Sequence, residues 1–276
     1  VWMMVVLISG VSLAGYAALR FVGARYGAPL LGLLGGLVSS TATTMVFSRH
    51  ARENPAMAST ATLVILLANL IMVLRVLAIA WALSPQMVSL LVPGSLLAVL
   101  IGTVVIGLNW RQMASQGELP VPQTRNPTEL RAALGFGLLY AAVLLCAAWL
   151  SDIAGRGGLY LLAFASGLTD VDAIALSTLR LYNLQKLEGL PTAVSILLAM
   201  LANLGFKTFL AFLLGGATLG RRVIVGMFAV GAGLAGGIVW LLNTSLNKNL
   251  CVRLPRLKCR AFLTIGRARA KLAGGW

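Results

Sequence analysis

Asp170 and Asp172, in the run Gly167-Leu168-Thr169-Asp170-Val171-Asp172-Ala173, sit deep in apolar sequence that extends for a helix length on either side. A carboxylate at membrane depth is costly, so it is expected to be paired, to face a polar cavity, or to do chemistry. Two such groups two residues apart could bind a cation or cycle a proton, and Asp170 and Asp172 are the candidate metal ligands. Hydroxyls in Ser39-Ser40-Thr41-Ala42-Thr43-Thr44 and at Thr169, with the amides of Asn69 and Asn203, add neutral oxygen. A hard cation such as Mg²⁺ prefers ligands of this kind, and the set does not exclude Na⁺. Lys207 is a lone base in an apolar run. It could neutralise an aspartate, or snorkel to the interface along its stem. Arg75 is the lone charge in another such run. Two carboxylates and one lysine would leave a net negative site, suited to a cation or a proton.

The helix carrying the acids constrains how they act. Ser166, Asp170 and Ser177 share one face. Asp172 lies about 200° around a regular helix from Asp170. Both carboxylates reach one cavity only if the helix unwinds near Gly167-Leu168, which would also free carbonyls as cation ligands. The alternative is that one faces a cavity while the other pairs with a base or caps a helix. The hydroxyls and amides have a plain role open to them too, as bonds and close contacts between packed helices.

The positioning elements follow from composition. Of 276 residues, 59% are hydrophobic and 11% charged, against about 25% charged in a soluble domain. The uncharged runs approach or exceed the roughly 20 residues that cross a bilayer core. Eight spans are expected, near 1–19, 27–48, 56–83, 87–110, 130–151, 157–179, 190–214 and 223–243. The fold class is therefore all-α, a polytopic membrane helix bundle, because lipid offers no partners to open backbone groups.

An internal repeat organises these spans. At one constant offset Gly36-Leu37 meets Gly167-Leu168, Ser39 meets Asp170, Thr41 meets Asp172 and Arg49 meets Arg180. With a short insertion Ala68-Asn69 meets Ala202-Asn203. Residues 1–111 and 129–243 read as two four-helix repeats, joined by a polar linker at 112–128 and followed by a basic tail at 244–276. Four spans per repeat place both repeats in one orientation, about an axis along the membrane normal; a re-entrant segment would reverse that relation. The site is expected where the repeats meet, with carboxylates on one wall and hydroxyls on the other.

The net charge is +15, from 22 Lys and Arg against 7 Asp and Glu. The bases cluster at span ends and in the tail, so they read as topology signals and anionic-lipid contacts rather than a nucleic-acid surface. The tail should face the cytoplasm, with the N-terminus on the same side. Loops holding Arg49, Arg52, Arg180 and Lys186 are expected inside, and the loop holding Arg221 and Arg222 outside. Three cysteines set no disulfide framework. His50 stands alone, no zinc spacing or phosphate-loop motif occurs, and no enzyme or cofactor beyond a bound cation is expected.

The pair Gly36–Thr44 and Gly167–Ala173 resembles the multi-span membrane domain that follows an MgtC/SapB-type domain in bacterial proteins. The resemblance covers most of residues 1–243. It implies a location in the bacterial inner membrane and carries no established activity. Together these features lead to an expected secondary transporter, or transporter-like protein, cation- or proton-linked. The competing expectation is a regulatory or scaffolding membrane protein whose polar motifs lock helices together. Either allows a homo-oligomer.

Overall fold

The computed structural model describes residues 27–108 and 158–253. Among the described residues there are six α-helices and no strand: α1 (Gly27–Glu53), α2 (Ala58–Leu83), α3 (Pro85–Leu108), α4 (Gly158–Thr169), α5 (Val171–Asn183) and α6 (Gly189–Arg253), with a 3₁₀ turn at Pro55–Met57. Four stretches are long and apolar enough to cross a membrane: Ala28–Glu53, Pro55–Leu83, Pro85–Leu108 and Gly189–Leu246. The expected spans 1–19 and 130–151, the linker and the tail beyond residue 253 lie outside the described residues. The chain divides into two compact units, Val1–Ile238 and Val239–Trp276. In the second, helix continues to Arg253. Every contact below lies within the first.

Two of the long helices are not single rods. α1 contains one extended residue, Ser39 (φ −165°, ψ 105°). A helix rises 1.5 Å per residue, so Gly35 and Thr43 would stand about 12 Å apart in a straight one. Instead a Cβ on Gly35 would touch the Thr43 side chain. Gly32 lies against Val64 and Leu67, and Gly36 against Ala68 and Ile71, so the first arm runs in the same direction as α2. The second arm enters α2 through a link of a few residues and must run against it. α1 is thus a hairpin of two helical arms with its tip at Ser39. Its first arm of about 12 residues is some 18 Å long, roughly half a bilayer core. α6 reverses likewise at Gly216 (φ 76°, ψ 178°), a backbone region open essentially only to glycine. Across that turn Gly220 meets Phe212 and Gly231 meets Leu201.

α4 and α5 form a second hairpin. They are separated only by Asp170, which is extended (φ −146°, ψ 116°), and they pack on each other. The two tip residues, Ser39 and Asp170, stand 131 positions apart. The same spacing relates two close helix contacts. A methyl on Gly36 would lie 2.7 Å from the Ala68 Cα, and one on Gly167 would lie 2.5 Å from the Ala199 Cα. Only a hydrogen fits at either place.

The bases of the hairpins sit at opposite ends of α2. At its C-terminal end, Ser84 Oγ bonds Asn183 Oδ1 at 2.6 Å and the Asn183 amide donates to the Leu83 carbonyl at 2.9 Å. At its N-terminal end, Arg52 donates to the Leu213 carbonyl at 3.2 Å and Arg222 bonds Ser59. α3 and the second arm of α6 also run antiparallel. Gly94 meets Gly237 and Ala98 meets Gly233, so four residues forward on one helix is four back on the other. Among the described residues there are thus four long apolar stretches, and the eight spans and two four-helix repeats expected from the sequence are not supported. The expected spans 27–48 and 157–179 are broken at Ser39 and Asp170, and Arg52 and Arg222, expected on opposite sides, share one end of α2.

Candidate substrate and ion site

Each hairpin tip is a helix start made by a short polar side chain. Asp170 Oδ1 accepts from the Asp172 amide at 2.9 Å. Ser39 Oγ accepts from the Ala42 amide at 3.2 Å. Both are N-cap bonds, which satisfy backbone donors that a helix start leaves open. The break therefore falls at Asp170 itself and not at Gly167-Leu168, because an aspartate in extended geometry supplies its own cap. Thr169 Oγ1 turns back to the Ser166 carbonyl at 3.0 Å, as Thr43 and Thr44 turn back to the Ser39 and Ser40 carbonyls at 2.8 Å each. Thr41, the positional mate of Asp172, is half-buried beside its tip.

A half-buried arginine bridges the tips, and a buried lysine sits against the first. Arg75, in α2, donates to the Leu37 carbonyl at 3.0 Å, at the end of the first arm of α1, and forms an ion pair with Asp172 Oδ2 at the start of α5. Their side chains are 13% and 5% exposed. Lys207, in α6, is 1% exposed and reaches the other way. Its ammonium lies 2.6 Å from Ser40 Oγ, 3.0 Å from Asn69 Oδ1 and 3.3 Å from Met72 Sδ. The expectation that Lys207 neutralises an aspartate or snorkels is thus corrected. Arg75 takes Asp172, and among the described residues no carboxylate lies within ion-pairing reach of Lys207.

Asn69 and Asn203 are both buried but differently used. The Asn69 amide donates to the Ile65 carbonyl of its own helix at 2.8 Å, and its oxygen serves Lys207. The Asn203 amide donates to the Gly167 carbonyl at 2.8 Å, tying α6 to the second hairpin. The close contacts of Gly36 and Gly167 set these helices in register 131 residues apart, which levels Asn203 with Met72. The expected Asn69–Asn203 equivalence, which needed an insertion, does not hold.

Taken together, the structure joins Ser40, Asn69 and Lys207 on one side, and Asp170, Asp172 and Asn203 around the second tip. Arg75 is the member that sequence reasoning left out of the site, although its signal was plain: one charge in a 26-residue apolar helix. With it, the expected net negative site becomes formally balanced, two carboxylates against two bases. Two oxygens stay bare. Among the described residues Asp172 Oδ1 and Asn203 Oδ1 are buried without a hydrogen-bond partner. No group of three His, Cys, Asp or Glu side chains able to hold a metal occurs among the described residues.

Comparison with known proteins places this arrangement. Residues 6–215 match the domain of unknown function DUF4010. That stretch takes in both hairpins and ends beside the Gly216 turn. An uncharacterized protein of Aquifex aeolicus (strain VF5) is 31% identical over 190 residues, 67% of this chain and 81% of the relative. No solved structure matches the chain. The motif pair that suggested an MgtC/SapB-type protein lies inside the matched stretch, and neither comparison carries that family, so the assignment is corrected. The chain, with its two capped hairpin tips, belongs to the DUF4010 family.

Proposed function

We propose that this protein is a secondary-transporter-like membrane protein, cation- or proton-linked, in which the two hairpins are the repeated unit and are inserted from opposite faces of the bilayer. The observation that carries the reading is the pair of broken helices whose tips are bridged by Arg75, with the buried Lys207 held against the first. A membrane protein keeps non-helical backbone and ionisable groups at depth only where they are enclosed in protein or line a pathway. Discontinuous helices whose ends point at a common centre are how many transporters bind solute and coupling ion. The opposed hairpin bases, the common spacing of 131 residues and the antiparallel α3–α6 seam support repeats of inverted topology. This replaces the axis along the membrane normal expected from an even count of spans.

In this scheme Asp170 and Asp172 bind the cation or cycle the proton. Ser39, Ser40, Thr41, Thr43, Thr44 and Thr169 line the tips, and Asn69, Asn203 and Lys207 hold them. A bacterial inner membrane is the proposed location, with the basic tail on cytoplasmic anionic lipid. The test is ion and proton flux in proteoliposomes, comparing the wild-type chain with Asp170→Asn/Asp172→Asn. Flux that disappears in a folded double variant supports the reading. Folded protein that moves no cation and no proton under any imposed gradient refutes it, and leaves the non-transporting scaffold.

A further inference from the structure

The two tips are built alike but supplied differently, and the difference points to a ligand. A broken helix leaves the carbonyls at the end of its first arm without helical donors. In the first hairpin the Leu37 carbonyl is met by a cation of the chain itself, Arg75. Its positional mate in the second hairpin is the Leu168 carbonyl. The residue levelled with Arg75 there is Phe206, which has nothing to donate. The Ser166 carbonyl is used by the Asp170 amide and Thr169 Oγ1, and the Gly167 carbonyl by Asn203. Among the described bonds the Leu168 and Thr169 carbonyls receive nothing. Asp172 Oδ1 and Asn203 Oδ1 are bare at the same tip, on residues 3% and 2% exposed. Arg75 thus serves both tips, the first at the Leu37 carbonyl and the second at Asp172 Oδ2, yet four oxygens of the second tip receive no donor among the described bonds.

We infer that the second hairpin tip is a site for one desolvated monovalent cation of the sodium class, with Asp172 Oδ1, Asn203 Oδ1 and the Leu168 and Thr169 carbonyls as its ligands. The inference rests on the transporter-like reading and names its coupling ion. Charge favours the lower valence. Asp170, Asp172, Arg75 and Lys207 sum formally to zero, so one monovalent ion leaves a single excess charge and a divalent ion two. Excess charge in a low-dielectric interior is strongly penalised. Mg²⁺ also keeps several waters and demands near-octahedral geometry, which an enclosed tip does not supply. The sodium class therefore displaces the magnesium expectation.

The test is a cation titration of the full chain in detergent at constant ionic strength, with choline as the replaced ion and thermal unfolding as the readout. Sodium should raise the unfolding temperature saturably and Mg²⁺ should not. Asn203→Ala should weaken the apparent sodium affinity by about tenfold or more, the loss of one good ligand, and Asp172→Asn should abolish the response. Should Asp172→Asn fail to fold, Asn203→Ala decides alone, since it leaves the Arg75 pair intact. A response absent in wild type, equal with Mg²⁺, or unchanged in Asn203→Ala overturns the site. Proton-driven flux without a sodium response overturns the site and keeps the transporter reading. Saturable sodium binding without any flux does the reverse.

Discussion

Breaking the Arg75–Asp172 pair should destabilise the protein more from one side than from the other. Arg75→Met strips the only donor among the described residues from Asp172 Oδ2 and from the Leu37 carbonyl, while Asp172 Oδ1 is already bare. Removing one partner of a buried pair costs about 3–5 kcal/mol, because a charge is left uncompensated. Asp172→Asn removes the charge but keeps an oxygen for the guanidinium, and should cost about 1–3 kcal/mol. In Arg75→Met/Asp172→Asn neither charge remains, so the double change should fall short of the sum of its singles by about 2–3 kcal/mol. Denaturant unfolding in mixed micelles, followed by tryptophan fluorescence, measures all of the variants. Singles that each cost under about 1 kcal/mol and add without coupling would show that the pair does not hold the tips together, and the site as drawn would be wrong.

Lys207→Met should leave stability unchanged or raise it, since it removes a buried ammonium that faces only neutral partners, yet it should abolish flux; a variant that transports normally would remove Lys207 from the site. Gly167→Ala and Gly36→Ala should each cost about 1–3 kcal/mol through overpacking against helix backbone. Gly205→Ala, with open space around it, should gain about 0.5–1 kcal/mol in the same thermal assay. Gly216→Ala should lose about 1–3 kcal/mol from backbone strain alone. In a cysteine-free background, Thr41→Cys and Thr169→Cys should react with a small polar thiol reagent more slowly once the conducting state is blocked, and complete inertness in every condition would argue for a sealed seam.

Sequence alone is enough to find both tips, because Ser39–Thr44 and Gly167–Ala173 stand out as polar runs in apolar surroundings at a fixed spacing. It does not show that these helices fold back. Hydropathy counts apolar length, and two half-length arms joined at one extended residue have the same length and composition as one crossing. The partner of Asp172 is hidden for a related reason. Lys207 and Arg75 are both lone bases, and only the packing of α2 against both tips decides which of them the carboxylate meets. Asn203 is visible in the sequence, but its level is not, because the Ala-Asn pairs invite an alignment that the Gly36–Ala68 and Gly167–Ala199 contacts do not follow.

The α3–α6 seam has a meaning of another kind. Gly94 lies on Gly237 and Ala98 on Gly233, so at these two levels each helix both gives and receives a small surface. A seam of that form is self-complementary about a two-fold axis. On the inverted-repeat reading proposed above, the same seam would form between two separate chains of half this length, inserted in opposite directions.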